Sequence, residues 1–409
     1  MLSDRPNSLG TRRRFDRVLG DLPGTAPGPS VVFIAGLYGN EPAGARAAEQ
    51  VATTLRERGT PLRGRVVFLA GNVQALASGL RFVRRDLNRG WTEPQLSRVR
   101  ALPEHALGDE DQEQRDLSEC LYAIERERRG RLIVIDLHTT SAESAPFISF
   151  GDTLLNRRLA LSLPITAILG LEEVVDGALA SYWTDRGHVS LSLEAGQHSS
   201  ALSVERHIAA IWLLLVAAGC VRASDVPELA QHAKSLASAS VGLPTVVEVR
   251  HRHGISTGDG FEMAPGFESF MPVRRGQVLA RDARGQIEAP EAGLILVPRY
   301  DSQGDDGYLI VREVRPVWLK VSKWLRTAGL PRLLPHLPGV RRDPARLGYL
   351  LVDPTVAFAH VADVMHLCGF RRRGSVEKLL LFSTRRAVKL RRPVQAGAPA
   401  SRPRSSAPR

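Results

Sequence analysis

Two carboxylates and a histidine stand where apolar runs of this 409-residue chain end. Glu41 follows the run VVFI in the segment VVFIAGLYGNEPAG, and His138 follows LIVI in RLIVIDLHTTS. Glu194 comes directly after SLSL in SLSLEAGQH. Such runs are typical of buried strands, and open α/β sheets bind ligands beyond the carboxyl ends of their strands. We therefore expect these three side chains to meet at one edge of a sheet.

Imidazole and carboxylate groups are the usual ligands of hydrolytic zinc sites, and a buried carboxylate also suits a general base. Each residue has a structural interpretation as well. Glu41 suits a helix N-terminus, His138 suits a hydrogen-bonded strand end, and Glu194 suits a buried salt bridge to an arginine. Asp136 favours the metal interpretation, because it shares a strand face with His138 and can orient the imidazole.

Basic residues crowd the segment around Asn88, namely Arg81, Arg84, Arg85 and Arg89. A cluster of this kind is usually a solvated surface. The planar guanidinium group is nevertheless suited to binding a carboxylate through two parallel hydrogen bonds. The segment is therefore a candidate for recognition of an acidic ligand.

Taken in this order, these segments resemble the succinylglutamate desuccinylase and aspartoacylase family of zinc hydrolases, relatives of the zinc carboxypeptidases. The resemblance spans roughly residues 28–316. It implies one zinc ion, held by the His and Glu of a G-x-H-G-N-E motif and by the His of a D-L-H-T motif. Glu41 and His138 match two of these metal ligands, and Tyr38 stands in GLYGNE where the first His belongs.

Tyr38 leaves three outcomes open for the metal site. A phenol, with an unperturbed pKa of ~10, is a poorer zinc ligand than imidazole at neutral pH, although a bound metal lowers such values. Tyr38 binds zinc as phenolate, or His188 or His198 beside the Glu194 strand takes the vacant role, or the site holds metal weakly or not at all.

The same resemblance implies roles for the remaining residues. Glu194 matches the catalytic base, which takes a proton from metal-bound water and returns it to the leaving amine. Asn88 and Arg89 match the pair that holds the substrate carboxylate. Arg81 matches the residue that polarises the scissile carbonyl and stabilises its oxyanion.

We thus expect a zinc-dependent amidohydrolase of the deacylase or desuccinylase type, which cleaves the amide bond of an N-acyl amino acid or a similar carboxylate-bearing substrate. The alternative is a relative that is catalytically impaired because Tyr38 replaces a metal ligand. Such a relative would act as a carboxylate-binding or regulatory protein. No feature of the sequence identifies the acyl group or the amine.

Alternating strand and helix patterns predict the α/β class, with a mainly parallel mixed sheet and helices on both faces. The resemblance makes this sheet carboxypeptidase-like. The expected parts are an N-terminal segment (1–27), a catalytic domain (28–240), a small β-rich domain (241–316), a partly helical extension (317–392) and a disordered basic tail (393–409). Residues 92–112 are polar without a clear period, which indicates a long surface loop.

The net charge of +12 is concentrated at the C-terminus. Residues 371–409 carry twelve basic residues and one acid, so the other 370 residues sum to about +1. This composition predicts weak contact of the tail with anionic surfaces and, without a recognisable motif, no specific nucleic-acid binding. Three distant cysteines and an N-terminus without an apolar core lead us to expect a cytoplasmic protein.

Overall fold

The computed structural model describes residues 15–384 except 257, 302, 347, 358 and 359. The predicted basic tail (393–409) and the first 14 residues lie outside this range. Residues 15–240 contain the following helices and strands: β1 (Val18–Pro23), β2 (Ala26–Ala35), α1 (Ala43–Glu57), β3 (Arg63–Ala70), α2 (Val73–Ser78), α3 (Glu93–Ala101), α4 (Asp109–Glu127), β4 (Leu132–Thr140), β5 (Phe147–Phe150), α5 (Leu154–Ala160), β6 (Thr166–Leu169), α6 (Leu179–Asp185), β7 (Val189–Gln197), α7 (Ala201–Ala218) and α8 (Leu229–Ala239).

The later described residues are richer in strands. They form β8 (Val246–Gly254), β9 (Glu262–Met263), β10 (Pro272–Val273), β11 (Val278–Asp282), β12 (Gly285–Glu288), β13 (Gly293–Leu296), β14 (Asp306–Glu313), α9 (Pro316–Thr327), β15 (Val340–Arg342), β16 (Tyr349–Val352), α10 (Val361–Leu367), β17 (Phe370–Val376) and β18 (Leu379–Thr384).

A mixed sheet of eleven strands organises the described part of the chain, in the order β1-β3-β2-β4-β7-β5-β6-β8-β14-β13-β10. Strands β3, β2, β4 and β7 are parallel neighbours at its centre. All nine residues of β4 are buried, as expected for a strand covered on both faces.

Helices cover both faces of this sheet. On one face, Val31 and Phe33 of β2 belong to a core cluster with residues of α1 and α7. On the other face, Val32 and Ile34 pack in a second cluster with residues of α4 and α6. The side chains alternate between the two clusters because successive strand residues point to opposite faces. The predicted fold class is therefore confirmed.

Helix α7 is the one helix of the described residues that is long and apolar enough to cross a membrane by length and composition alone. In the fold, Ile211, Leu214 and Leu215 of this helix are fully buried in the core cluster with α1. Its apolar composition is therefore explained by packing within the domain.

The prediction of a long loop at residues 92–112 was wrong. Helix α3 begins after Thr92, whose side chain accepts a hydrogen bond from the Gln95 N–H, and Pro94 occupies its first turn. Leu96 and Val99 are buried beneath it. Two large apolar residues in nine are too few to reveal a helical period, so the sequence pattern does not predict this helix, which packs against α4.

The small β-rich domain is present but is continuous with the main sheet. Strand β8 pairs with β6 in parallel and with β14 in antiparallel fashion, and β13 and β10 extend the same sheet. Strands β9, β11 and β12 form a separate three-stranded sheet. The loop between β13 and β14 thereby reaches the carboxyl ends of the central strands.

A C-terminal module follows, consisting of α9, α10 and the four-stranded antiparallel sheet β15-β16-β18-β17. Asp152 joins it to residues 15–240, because this fully buried carboxylate accepts hydrogen bonds from Arg326 and Arg371 of the module and from Arg157. Although burial opposes its charge, Arg371, Arg326 and Arg157 hold the pKa of Asp152 well below its ordinary value.

We expect Asp152→Asn to destabilise the protein by about 3–5 kcal/mol, because three guanidinium groups then lose a buried carboxylate. Denaturant unfolding followed by circular dichroism measures the change. The matched control is Asp21→Asn, which removes an exposed ion pair with Arg65 and should cost less than about 1 kcal/mol. Equal costs for the two variants would contradict a structural role for the Asp152 cluster.

Candidate active site

The seven residues singled out from the sequence all line one cavity at the carboxyl ends of the central strands. They are Tyr38, Glu41, Arg81, Asn88, Arg89, His138 and Glu194. The register explains this placement, since parallel β4 and β7 align His138 with Glu194. Parallel β2 and β4 align Ala35 with Leu137, so the loop that carries Tyr38 and Glu41 begins beside His138.

The loop between β2 and α1 requires glycine at one position in particular. Any Cβ atom on Gly39 would lie 2.0 Å from the carbonyl carbon of Ala75 in α2. This close approach brings the loop against α2 and the segment that carries Arg81, whose carbonyl accepts a hydrogen bond from the Gly39 N–H. The GLYGNE segment is thereby fixed relative to the arginine segment.

Glu41, His138 and Asp136 form a buried chain of hydrogen bonds. The Glu41 Oε2 atom lies 3.0 Å from His138 Nδ1, and Asp136 Oδ2 lies 2.8 Å from His138 Nε2. Glu41 Oε2 also accepts a hydrogen bond from the Thr139 N–H. Although burial opposes the charge, Asp136 and Glu41 raise the pKa of His138 well above its ordinary value. The imidazole is therefore cationic at neutral pH in this arrangement.

Tyr38 lies beside these hydrogen-bonded residues, but its hydroxyl group is not directed at them. Its hydroxyl donates a hydrogen bond to Asp86 Oδ2 at 3.2 Å, and the Arg81 guanidinium stacks 3.6 Å from the centre of its ring. Burial and the neighbouring Asp86 carboxylate raise the Tyr38 pKa far above its ordinary value. The phenol is thus neutral, with its oxygen held by Asp86.

These residues do not fit a zinc site with three protein ligands. Glu41 and His138 are two suitable ligands, and Asp136 orients the imidazole as a carboxylate behind a metal-bound histidine does. The third position holds the neutral phenol of Tyr38. No group of three or more His, Cys, Asp and Glu residues has a metal-binding arrangement within the described range.

The two histidines considered as substitutes for the missing imidazole lie in different places. His188 is paired with Glu125 at 2.6 Å and does not line the cavity. His198 lines the cavity, but its Nδ1 lies 2.7 Å from the Thr139 hydroxyl and its Nε2 lies 3.4 Å from Asp301. Neither histidine completes a metal site in this structure.

Glu194 faces the interior of the cavity. Its Oε2 atom is buried and has no hydrogen-bond partner among the described residues. Burial, more than any neighbouring charge, raises its pKa to about 8. A carboxyl group with this pKa exchanges protons readily near neutral pH.

The arginine segment is held by an acidic residue that the sequence analysis missed. The carboxylate of Glu110 in α4 accepts hydrogen bonds from the backbone N–H groups of Val83, Arg84 and Arg85. This contact fixes the backbone that presents Arg81, whose own Nε is buried without a partner among the described residues. No sequence pattern links residues 110 and 83, because the contact depends on the packing of α4.

Asn88 and Arg89 already have partners within the protein. The Asn88 Oδ1 atom accepts a hydrogen bond from the Leu179 N–H at 2.8 Å, and its Nδ2 lies 3.3 Å from His138 Nε2. Arg89 binds the carboxylates of Asp305 at 3.0 Å and Asp306 at 2.6 Å. A substrate carboxylate at Arg89 therefore has to share the guanidinium with these aspartates.

The loop between β13 and β14 supplies cavity residues that the sequence analysis did not single out. The cavity is also lined by four residues of this region, Arg299, Asp301, Asp305 and Asp306. The Arg299 Nε is buried without a partner in the described structure. The sequence did not reveal these residues, because they reach the cavity only through the packing of the β-rich domain against the main sheet.

Comparison with known proteins agrees with this architecture. The profile of the Succinylglutamate desuccinylase/Aspartoacylase catalytic domain matches residues 27–204. The comparison with curated proteins gave no significant match.

Among solved structures, succinylglutamate desuccinylase from Vibrio parahaemolyticus is 17% identical, with a TM-score of 0.53 over 72% of this chain and 86% of the other. A succinylglutamate desuccinylase/aspartoacylase from Rhodobacter sphaeroides is 19% identical, with a TM-score of 0.51 over 72% and 88%. The product-bound ectoine utilization protein from Ruegeria pomeroyi is also 19% identical, with a TM-score of 0.50 over 71% and 87%. At these identities the similarity establishes a shared fold.

We expect Tyr38→His to raise zinc affinity about tenfold or more, because neutral imidazole coordinates zinc without the deprotonation that a buried phenol requires. Competition with a chromophoric chelator measures the affinity. Tyr38→Phe is the matched control, since it keeps the ring and removes the hydroxyl, and it should bind no more zinc than the parent protein. A histidine variant with the parent's zinc affinity would show that Tyr38 is not what limits metal binding.

Proposed function

We propose that this chain hydrolyses the amide bond of a small N-acyl amino acid or a similar carboxylate-bearing molecule. The match of residues 27–204 to the succinylglutamate desuccinylase/aspartoacylase catalytic domain supports this proposal. The structural observation that supports it is the position of Glu194. Its unpaired, buried carboxyl oxygen faces the cavity that also receives Arg81 and the Glu41–His138 pair.

Glu194 is the proposed general base. With a pKa of about 8, the carboxylate accepts a proton from a water molecule as the water oxygen bonds to the substrate carbonyl carbon. The same carboxyl group then donates that proton to the amide nitrogen as the carbon–nitrogen bond breaks. The amine and the carboxylic acid leave as the two products.

Arg81 is the proposed group that stabilises the oxyanion. Its guanidinium is fixed over the Tyr38 ring, lies 3.9 Å from the Glu41 carboxylate and has a buried Nε without a partner among the described residues. A preorganised cation stabilises negative charge on a carbonyl oxygen more effectively than water does, because it needs no reorientation. Loss of this charge should slow turnover more than it weakens ligand binding.

Asn88 and Arg89 are the proposed contacts of the substrate carboxylate, as the family resemblance implies. Arg89 lies in the cavity, and its partner Asp305 is nearly half exposed at a 46% side-chain exposure. Displacement of Asp305 into solvent therefore costs less than displacement of a buried carboxylate would. Arg299 is an additional cation that lines the cavity.

The zinc ion implied by the resemblance is not required by these steps. In a zinc hydrolase the metal acidifies a bound water and polarises the carbonyl. Of the three described positions that the resemblance assigns to zinc, Glu41 and His138 are suitable ligands and Tyr38 is not, so the steps above rest on Glu194 and Arg81.

A second function is favoured by one specific observation. The neutral Tyr38 phenol, held by Asp86, stands where the resemblance calls for a zinc ligand. A member of the family without a metal at this position would bind the carboxylate-bearing ligand without hydrolysing it. It would then act as a binding or regulatory protein, and its cavity residues would still recognise the ligand.

We expect Glu194→Gln to reduce hydrolysis of N-succinyl and N-acetyl amino acids by at least about 100-fold and to leave their dissociation constants within about threefold, because glutamine keeps the shape and loses the basicity. Release of the free amino acid measures hydrolysis, and isothermal titration calorimetry measures binding. Glu228→Gln, at an exposed ion pair with Arg58, is the control and should change neither quantity.

The same measurements separate the two functions. Binding with turnover that depends on Glu194 supports hydrolysis. Ligand binding without turnover in the parent protein, before and after addition of zinc, supports the binding function. Undiminished turnover in the glutamine variant would place the base elsewhere.

A further inference from the structure

Helix α9 exposes large aromatic side chains to solvent. Trp318 and Trp324 have exposed fractions of 50% and 63%. The other three tryptophans of the chain, Trp91, Trp183 and Trp212, are all 4% exposed or less. Three of the five indole rings are therefore buried, and the two exposed rings both belong to α9.

The orientation of α9 is fixed by its inner face. The Ser322 hydroxyl donates a hydrogen bond to the Leu367 carbonyl at 2.6 Å, and Arg326 binds the buried Asp152 carboxylate at 2.6 Å. Leu325 packs against the core of the C-terminal module. The outer side chains therefore point away from the protein because the inner ones are anchored, and no part of the described core covers them.

The outer face of α9 combines apolar and cationic side chains. Val317 (54% exposed) and Trp324 are seven residues apart, so they share one side of the helix two turns apart. Lys320 and Lys323 are exposed on the same side. We call Val317, Lys320, Lys323 and Trp324 the α9 face. Trp318, which is 50% exposed, lies beside this face in the first turn of the helix, on the side of Ser322 and Leu325.

The segment that contains the α9 face carries charge of a single sign. Residues 314–342 contain seven arginines and lysines and neither Asp nor Glu. The ammonium groups of Lys320 and Lys323 form no ion pair with a described residue, and neither does the exposed Arg332, which lies next to Leu333 (58% exposed). The surface thus offers uncompensated positive charge beside exposed apolar groups.

We propose that the α9 face docks on the surface of an anionic phospholipid bilayer. Indole rings prefer the boundary between headgroups and acyl chains, where their apolar body is buried and the N–H stays hydrated. Lysines on the same side meet the anionic headgroups, as in helices that lie in the membrane plane. The partner that fits both properties is a lipid surface, because a nucleic acid offers the charge without an apolar layer.

The C-terminal tail strengthens the same attraction. Residues 385–409 lie outside the described residues, and their sequence carries eight basic residues and no acid. They follow β18, which belongs to the same module as α9. The tail contributes long-range electrostatic attraction, whereas the α9 face contributes the apolar contact that salt does not screen.

The test uses the full chain and vesicles of phosphatidylcholine, alone or mixed with phosphatidylglycerol. Co-sedimentation measures binding, and tryptophan emission measures insertion. The three buried tryptophans give a constant background, so a blue shift reports on Trp318 and Trp324. We expect binding and a blue shift only with phosphatidylglycerol, and a residual blue shift at high ionic strength.

Two variants address the α9 face directly. The double substitution Trp318→Ala and Trp324→Ala, and separately Lys320→Glu with Lys323→Glu, should each weaken vesicle binding at least about tenfold. Matched controls are Leu161→Ala with Val356→Ala, and Arg222→Glu with Lys234→Glu, which alter exposed residues elsewhere and should leave binding unchanged. Thermal unfolding midpoints equal to that of the parent show that each variant is folded.

Three results would overturn the proposal. The first is binding that survives both α9 variants but disappears on truncation after Thr384, since the tail alone would then be the anchor. The second is tighter binding of single-stranded RNA than of anionic vesicles, with loss of RNA binding in the α9 variants. The third is a parent protein that is oligomeric and binds no vesicles, together with a tryptophan variant that is monomeric. The α9 face would then be a contact between copies of the chain.

Discussion

The parallel pairing of β2, β4 and β7 determines the geometry of the whole site. Aligned strands end at one edge, so Glu41, His138 and Glu194 converge although they are far apart in sequence. Because side chains alternate along a strand, a slip of one residue between β4 and β7 would turn Glu194 towards the opposite face. The burial of both sheet faces sets this register, and the packing of the domain therefore fixes the chemistry at its edge.

The buried charges of the cavity are compensated mainly by one another. Cationic His138 lies between the carboxylates of Glu41 and Asp136, and Arg89 is shared by Asp305 and Asp306. Glu194 is the exception, because its buried Oε2 atom has no hydrogen-bond donor among the described residues and burial raises its pKa to about 8. The carboxyl group that lacks a partner is thus the one best suited to move a proton.

The parts that follow residue 240 are tied to the preceding residues by polar contacts that are also buried. Asp152 binds Arg326 of α9 and Arg371 of β17, and the loop between β13 and β14 brings Arg299 to the cavity wall. Helix α9 consequently has one side bound to Asp152 and the other side exposed to solvent.

The sequence by itself determined the α/β class, the family resemblance and the residues that line the cavity, because strand-ending apolar runs and short-range turn residues are local properties. It also revealed that Tyr38 occupies a ligand position. Tertiary structure alone decided that the phenol turns to Asp86, that Glu110 holds the arginine segment, and that residues 93–101 are helical. Each of these depends on a partner distant in sequence, and the free energy of burying or pairing a polar group is set only when the fold brings that partner into contact.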